Sequence, residues 1–281
     1  MTAPAMPAGY LIRDMTDYDE IRQCVAIQER TWGPGFSEAV PAAVLWVATR
    51  TGGVVAGAFR DDGALVGFVF GMSGFRDGQP LHWSDLLAVL PEERGAGLGV
   101  ALKAHQRRVL LDAGIRDMFW TFDPLVSRNA YVNFARLGAI AREYIPDCYG
   151  RTTSPLHAGL ATDRLVVHWR LSSPRVRQRM DEGFDDDTDE WPGAADSPVI
   201  NEDPGTPRLE LDGELLRLRI PGDIQALKAQ QPARAEAWQA TVRQAFMTYL
   251  AQGYVVVDLL REEDGSSYVL TRGRAALAAL S

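Results

Sequence analysis

Cysteine is scarce in this chain of 281 residues, with Cys24 and Cys148 as its two cysteines. They lie far apart, and neither has the close spacing of a zinc site or a redox pair. The sequence therefore excludes a disulfide framework and favours a reducing compartment. The four histidines also lack metal-ligand spacing, so we expect no metal site.

Long apolar runs are missing as well. No uncharged apolar stretch reaches the roughly 18 residues that a membrane-spanning helix needs. The first residues lack the positive segment and following apolar run of a signal peptide. From these absences we expect a cytoplasmic protein with no membrane partner.

Basic residues are outnumbered by acidic ones. The 29 Lys and Arg residues face 37 Asp and Glu residues, which gives a formal net charge of -8. A nucleic-acid partner is not expected, because phosphate binding requires an excess of positive charge on one surface. The hydrophobic content of 46% is enough for an ordinary folded core.

Patterns of helix and strand alternate along the first part of the chain, and Asp61-Asp62-Gly63 between two strand patterns predicts a hairpin. Strands are predicted near residues 11–12, 54–59, 65–72, 82–90, 118–122, 139–144 and 165–171. Helices are predicted near residues 17–32, 37–49, 98–113 and 127–137.

The composition divides the chain into three parts. Residues 1–173 predict an α/β domain. Residues 174–207 are predicted to form an acidic flexible linker, since acidic residues accumulate there between Asp181 and Asp203 with no Lys or Arg among them. Residues 208–281 predict a β-α-β-β subdomain, in which a stripe of aromatic and aliphatic residues over 238–250 forms one face of its helix.

A glycine-rich turn separates strand 82–90 from helix 98–113. Pro91 ends the strand, and the run Arg94-Gly95-Ala96-Gly97-Leu98-Gly99 opens the helix. Glycines let the backbone approach a ligand closely, and a helix start offers unpaired N–H groups and a positive dipole end. Together these features predict a phosphate cradle. The spacing differs from GxxxxGK[ST] and from GxGxxG, so neither a P-loop nor a dinucleotide-binding turn is predicted.

The run R-x-x-G-x-G resembles the pyrophosphate-binding motif of the GCN5-related N-acetyltransferase (GNAT) superfamily. A later asparagine-containing helix that ends in Leu137-Gly138 is similar to that superfamily too. The resemblance covers residues 11–171 in order of elements. It implies an α/β fold with a mixed, mostly antiparallel sheet flanked by helices. It also implies acetyl-CoA, or another acyl-CoA such as succinyl-CoA, as acyl donor.

The same resemblance implies where the donor binds. The strand before the glycine loop is expected to splay from its neighbour, and the pantetheine arm is expected in the gap. The main chain of the strand end would contact the arm, and the amides of the loop would hold the pyrophosphate. The expected cofactor-binding residues are Ala88, Val89, Leu90, Arg94, Gly95, Ala96, Gly97, Leu98, Gly99, Asn129 and Asn133.

Transfer to an amine requires a group that takes a proton. Asp85 is the first candidate, because alternation along the strand puts it on the face of Leu87 and Val89. His82 is the second candidate base and is expected on the opposite face. Both residues also have an ordinary structural explanation. His82 could be a packed side chain, and Asp85 could be one half of an ion pair.

The general acid is the point where the chain departs from the family pattern. Many members have a tyrosine three residues before the Leu-Gly, where this chain has Phe134. Tyr131 is the candidate replacement, with Tyr144 and Tyr149 as alternatives. Asn129 and Asn133 are expected to share one face of the same helix at the i, i+4 spacing.

The sequence thus predicts an N-acyltransferase that moves an acetyl or succinyl group from CoA to a small-molecule amine such as an amino acid. The alternatives are a non-catalytic acyl-CoA-binding protein of the same fold and a thioester hydrolase. A homodimer is left open, and the helical stripe at 238–250 is expected to be core or dimer surface.

Overall fold

A computed structural model describes residues 7–33, 36, 38–150, 159–183 and 191–273. These described residues form ten strands: β1 Tyr10–Asp14, β2 Val54–Arg60, β3 Leu65–Arg76, β4 Gln79–Val89, β5 Asp117–Phe122, β6 Ile140–Ile145, β7 Arg164–Arg170, β8 Leu215–Pro221, β9 Val255–Glu262 and β10 Gly265–Thr271. The helices are α1 Tyr18–Trp32, α2 Ala42–Arg50, α3 Leu98–Asp112, α4 Ser127–Ala130, α5 Pro174–Arg177, α6 Ile224–Gln230 and α7 Pro232–Ala251. Two of them, α4 and α5, continue as π-helix over Tyr131–Arg136 and Gln178–Glu182.

All ten strands form one sheet in the order β1-β2-β3-β4-β5-β7-β6-β9-β10-β8. Neighbouring strands run antiparallel except β4 and β5, which are parallel. The predicted α/β fold, a mixed and mostly antiparallel sheet flanked by helices, is confirmed. Local sequence explains many of its boundaries; for example, Asp17 caps α1 by accepting hydrogen bonds from the amides of Asp19 and Glu20.

Two predicted helices differ from those observed. The helix predicted over 37–49 begins at Ala42 in the structure, because Pro41 has extended backbone and takes the N-cap position. The start of that prediction, Ser37, lies outside the described residues. The helix predicted over 127–137 has the expected extent, but it changes from α to π winding after Ala130.

The C-terminal strands extend the sheet of the N-terminal part. Ala141 of β6 pairs with Val256 of β9, and β10 and β8 follow at the sheet edge. The aromatic rings of Phe134 on α4, Phe246 on α7 and Tyr268 on β10 pack edge to face. The helical stripe at 238–250 therefore lies in the core rather than on a surface. The proposed three-part division of the chain remains a prediction.

Several residues of the segment expected to be a flexible linker are buried in the structure. Val176 and Met180 are buried, and Val199 forms a β-bridge with Arg217 of β8. Ile200 is buried too. Apolar residues of this acidic segment thus contribute to the hydrophobic core. Residues 184–190 lie outside the described part of the chain.

A buried ion pair joins this segment to β9. Arg175 donates to Asp258 at 2.9 Å and to the backbone carbonyl of Val257 at 2.5 Å. Arg179 lies 3.7 Å from the same carboxylate, and all three charged side chains are nearly inaccessible to solvent.

In the part of the chain that the structure describes, no helix is long and apolar enough to cross a membrane.

We expect Asp258→Ala to lower the free energy of unfolding by about 3–5 kcal/mol, because it leaves buried guanidinium groups without their carboxylate. Urea unfolding followed by circular dichroism measures this change. Asp203→Ala removes the carboxylate of an exposed pair with Arg234 and should leave stability nearly unchanged. Equal effects of the two substitutions would contradict the role assigned to Asp258.

Candidate functional site

The glycine loop forms an open turn at the start of α3. Gly95 and Gly97 have positive φ angles of 96° and 80°, which an L side chain rarely adopts. Gly97 is the N-cap residue, and no side chain caps the helix there. A Cβ atom on Gly95 would meet nothing within 4 Å. The first amides of α3 are therefore open towards a ligand, with the positive end of the helix dipole behind them.

Acidic residues next to this loop are paired with cations. Glu92 accepts from Arg30 at 2.6 Å, and Glu93 lies 3.2 Å from Arg60. The hydroxyl of Tyr10 also donates to Glu93 at 2.5 Å. These contacts offset the two negative charges that would otherwise repel an anion. The exposed Arg94 is anchored by a 3.3 Å hydrogen bond from its Nε to the carbonyl of Val89.

A gap between two neighbouring strands leads to this loop. Within the described residues, β4 and β5 pair only at His82 with Met118 and at Trp83 with Phe119. Beyond these positions the two strands diverge, although β4 continues to Val89 and β5 to Phe122. The edge of β4 that includes Ala88 and Val89 is therefore available to another extended chain. This is the splay that the sequence resemblance implies.

A β-bulge lies at the start of the gap. Phe70 pairs with Leu86 while Gly71 pairs with Ser84, so Asp85 is the extra residue of β4. Simple alternation, from which its side-chain direction was predicted, does not apply across such a bulge. The side chain of Asp85 is exposed to solvent. Desolvation by the surrounding protein nevertheless raises the pKa of its carboxyl above the usual value.

Beneath the gap runs a chain of buried hydrogen bonds. Lys103 donates to Ser84 at 2.8 Å, and Ser84 donates to the amide oxygen of Gln106 at 2.9 Å. The amide nitrogen of Gln106 lies 2.9 Å from Nε2 of His82, whose Nδ1 lies 3.0 Å from the hydroxyl of Ser73. Since that hydroxyl donates to a backbone carbonyl, the arrangement assigns the proton of the imidazole to Nδ1.

His82 is therefore enclosed and has both ring nitrogens engaged. Desolvation, with a smaller effect of the Lys103 charge, lowers its pKa to about 3. The imidazole is neutral at physiological pH and lies among buried groups. This placement matches its ordinary structural explanation, and Asp85 stays the candidate base.

Lys103 lies at the point where the strands divide. Ser84 and Trp120 are the first residues beyond the last paired position on β4 and β5, and the ammonium contacts both. Its nitrogen is 3.8 Å from the ring centroid of Trp120, a favourable cation–π geometry. Burial lowers the pKa of Lys103 to about 7. The sequence interpretation missed this residue, although the chain has just two lysines, Lys103 and Lys228, and both are buried.

The predicted site residues on α4 and its π-helical continuation differ in their exposure and contacts. Asn133 is buried and accepts from the indole nitrogen of Trp120 at 3.2 Å, whereas Asn129 is exposed. The two asparagines therefore differ in exposure, and Asn133 lies in the part of the helix that has π winding. Tyr131 lies under Arg261 of β9, whose guanidinium carbon is 3.5 Å from the ring centroid. Phe134 is fully buried in the core.

The C-terminal part contacts the end of β5 and the start of α4. Tyr268 of β10 donates to the carbonyl of Pro124 at 2.6 Å, and Ser266 lies 2.7 Å from Ser127. Lys228 lies 3.7 Å from Asp123.

Among the residues that the structure describes, no cluster of three or more His, Cys, Asp or Glu side chains is placed to hold a metal ion.

No protein-family model matches the chain, and no curated protein matches it. Solved structures do match. The likeness is to GNAT acetyltransferases. A phosphinothricin acetyltransferase from Sinorhizobium meliloti in complex with acetyl-CoA is 19% identical, and the match covers 57% of this chain and 87% of that chain with a TM-score of 0.44. An acetyltransferase of the GNAT family from Streptococcus pneumoniae is 14% identical over 57% and 97% of the two chains, with a TM-score of 0.46.

A protein from Arabidopsis thaliana in complex with the bisubstrate analogue CoA-Ac-MVNAL is 14% identical, with 57% and 98% coverage and a TM-score of 0.44. Identities this low leave the activity to be argued from the site itself.

We expect Lys103→Met to be more stable than the wild type at pH 7, with the difference narrowing by about 3 kcal/mol between pH 7 and pH 10. Below pH 7 the folded protein holds a buried ammonium and bears its full desolvation cost. As pH rises from the folded-state pKa of about 7 towards the unfolded-state value of 10.5, the folded protein loses this proton first, so the cost to stability falls steadily. Urea unfolding across this pH range measures the difference.

Arg107→Met on the same helix is the control, because arginine does not titrate in this range. A stability difference between Lys103→Met and the wild type that is independent of pH would contradict the depressed pKa of the lysine.

Proposed function

We propose that this protein is an acyl-CoA-dependent N-acyltransferase whose acceptor is a small-molecule amine. The observation that supports this most directly is that three features follow one another along one stretch of the chain. The bulge at Asp85, the unpaired edge of β4 and the uncapped start of α3 follow one another from residue 85 to residue 99. Acyl-CoA has the matching order of thioester, pantetheine arm and pyrophosphate.

The loop fits a pyrophosphate. Its open amides and the helix dipole favour an anion, and the positive φ angles of Gly95 and Gly97 leave the approach clear of side chains. Arg94 adds a positive side chain at the edge. Ala96, Leu98 and Gly99 would contribute main-chain N–H groups, as the residues of the loop and of the first helical turn.

The strand edge fits the pantetheine arm, which contains two amide groups. Main-chain groups of Ala88, Val89 and Leu90 would pair with them as another strand would. When bound, acyl-CoA supplies a thioester carbonyl for attack by the amine. Asp85 would take a proton from the amine, since a carboxyl with a raised pKa is closer to the pH at which a general base is effective.

The identity of the acyl group and that of the acceptor are further parts of this proposal. Acetyl is the simplest acyl group, with succinyl as the alternative. One structural neighbour was solved with the bisubstrate analogue CoA-Ac-MVNAL, so the small-molecule acceptor rests on the sequence resemblance alone. Tyr131, and the cofactor contacts of Asn129 and Asn133, stay predictions. Phe134 at the expected tyrosine position favours one other function, namely acyl-CoA binding without catalysis.

We expect Gly97→Trp to reduce affinity for acetyl-CoA at least roughly a hundredfold, because the indole would occupy the cradle and remove several N–H contacts. Isothermal titration with CoA, acetyl-CoA and succinyl-CoA measures this and identifies the preferred acyl group. Gly63→Trp is a matched control, since Gly63 has a φ of 84° and open surroundings in the β2–β3 turn. No binding of any of the three ligands by the wild type would refute the proposed function.

We expect Asp85→Asn to lower kcat roughly a hundredfold while leaving acetyl-CoA affinity unchanged, because a general base contributes about that much. In the wild type, kcat should fall as pH drops through the raised pKa of Asp85, since the protonated carboxyl cannot accept a proton. The acidic limb should be absent from the variant. Asp77→Asn, in the β3–β4 turn, is the control.

Loss of acetyl-CoA binding in Asp85→Asn would instead assign this residue to the donor site. Acceptor-independent release of CoA would favour the hydrolase, and binding without turnover would favour the non-catalytic alternative.

A further inference from the structure

Lys103 is a buried cation without a carboxylate partner. Five lysine and arginine side chains are buried in the described part of the chain, and the other four lie in ion pairs. Those pairs are Arg107 with Asp181, Arg175 and Arg179 with Asp258, and Lys228 with Asp123. Lys103 instead contacts a hydroxyl, a thioether and an aromatic ring. A buried charge without a counter-charge is costly, so this position suits a negative charge that a ligand brings or a reaction creates.

The ammonium of Lys103 is fixed in place and still has hydrogens to donate. Its nitrogen lies 2.8 Å from the hydroxyl of Ser84, which spends its own proton on Gln106 and therefore accepts from the ammonium. The other neighbours are the sulfur of Met118 at 3.9 Å and the ring of Trp120 at 3.8 Å. Both are weak acceptors. The ammonium is thus able to donate to a stronger acceptor.

This ammonium lies at the closed end of the gap between β4 and β5. Ser84 and Trp120, which it contacts, directly follow the last paired positions of the two strands. The proposed function places the pyrophosphate at the glycine loop and the thioester at the other end of the strand edge, and this inference rests on it. A pantetheine arm that follows β4 away from the loop ends at Ser84, and therefore at Lys103.

The proposed base adjoins the same point of β4. Asp85 is exposed to solvent, whereas Ser84, the residue before it, is buried against Lys103. An amine that arrives from solvent would meet the carboxyl of Asp85. A sulfur atom on the inner side of the strand would meet the ammonium.

We propose that the ammonium of Lys103 donates a proton to the sulfur of CoA during acyl transfer. As the amine nitrogen bonds to the acyl carbon, the carbon–sulfur bond breaks and its electron pair stays on sulfur. Lys103 gives this sulfur a proton, while Asp85 takes one from the amine. Water then returns a proton to Lys103 and removes the one on Asp85, so the products are an amide and a thiol.

The acidity of Lys103 suits this step. Burial lowers its pKa to about 7, below the value of about 8.5 for an ordinary cysteine thiol, so transfer of the proton to a thiolate is favourable. Around it, β4 carries the titratable residues His82, which is neutral at this pH, and Asp85. Its contacts on β5, Met118 and Trp120, do not titrate.

The test is the titration of the thiol of bound CoA, which requires no acceptor amine. The full chain is saturated with CoA, and the ultraviolet absorbance of the thiolate is followed as the pH is raised. The complex with desulfo-CoA, which lacks the sulfur, is the blank. Lys103→Met and Lys103→Gln both remove the charge, and the glutamine amide keeps a donor for Ser84. Lys228→Met removes the other buried lysine and is the matched control.

We expect the thiol of bound CoA to titrate about one to three pH units lower in the wild type than in either Lys103 variant, which is the effect of an opposite charge a few ångströms away. Both variants should still bind CoA. Lys228→Met should titrate as the wild type does. A purely structural role of Lys103 would leave the titration of the thiol unchanged.

The same titration in the wild type and the Lys103 variants, an equal change in Lys228→Met, or loss of CoA binding when the Lys103 charge is removed would overturn the inference. A change in Tyr131→Phe without one in the Lys103 variants would assign the proton to that phenol and overturn it too. Failure of the wild type to bind CoA would instead refute the proposed function, so the two failures are distinguishable.

Discussion

The architecture depends on the parting of β4 from β5 after two paired positions. Two parallel strands side by side would normally continue their ladder, because unpaired main-chain groups are costly when buried. Here one buried side chain contacts both strands at the point where they diverge. Lys103 reaches from α3 to Ser84 on one strand and to Trp120 on the other. A long polar side chain thus lies at the point where the gap between the two strands begins.

The C-terminal part supports the same region from the far side of the sheet. It adds β9, β10 and β8 beyond β6, and its side chains reach back to Pro124 and Ser127, where β5 ends and α4 begins. The pairing between β6 of the N-terminal part and β9 of the C-terminal part is short, and it joins Ala141 to Val256. The buried contacts of Arg175, Asp258 and the aromatic cluster make up for this. The position of the end of β5 therefore depends on residues more than a hundred positions away.

Local patterns predicted most strands and helices, because hydrophobic alternation, turn residues and caps act over a few residues. The glycine loop was predicted with its backbone role, since glycine spacing reports directly on positive φ angles. Three features were out of reach. The bulge at Asp85 exists only in relation to β3, and the burial of Lys103 depends on three elements meeting. The different exposure of Asn129 and Asn133 depends on the contact of Asn133 with Trp120 of β5. Acidic composition likewise gives no sign that Val176, Met180 and Ile200 lie in the core.

Both lysines of this chain are buried, and its surface cations are arginines. Thioesters acylate exposed primary amines slowly without any catalyst, because a neutral amine is a good nucleophile, whereas a guanidinium is protonated and inert. A protein that concentrates acyl-CoA beside its own surface would be exposed to this side reaction throughout its lifetime. Because both lysines are buried, an acyl-CoA bound as proposed would meet no exposed lysine side chain on this protein.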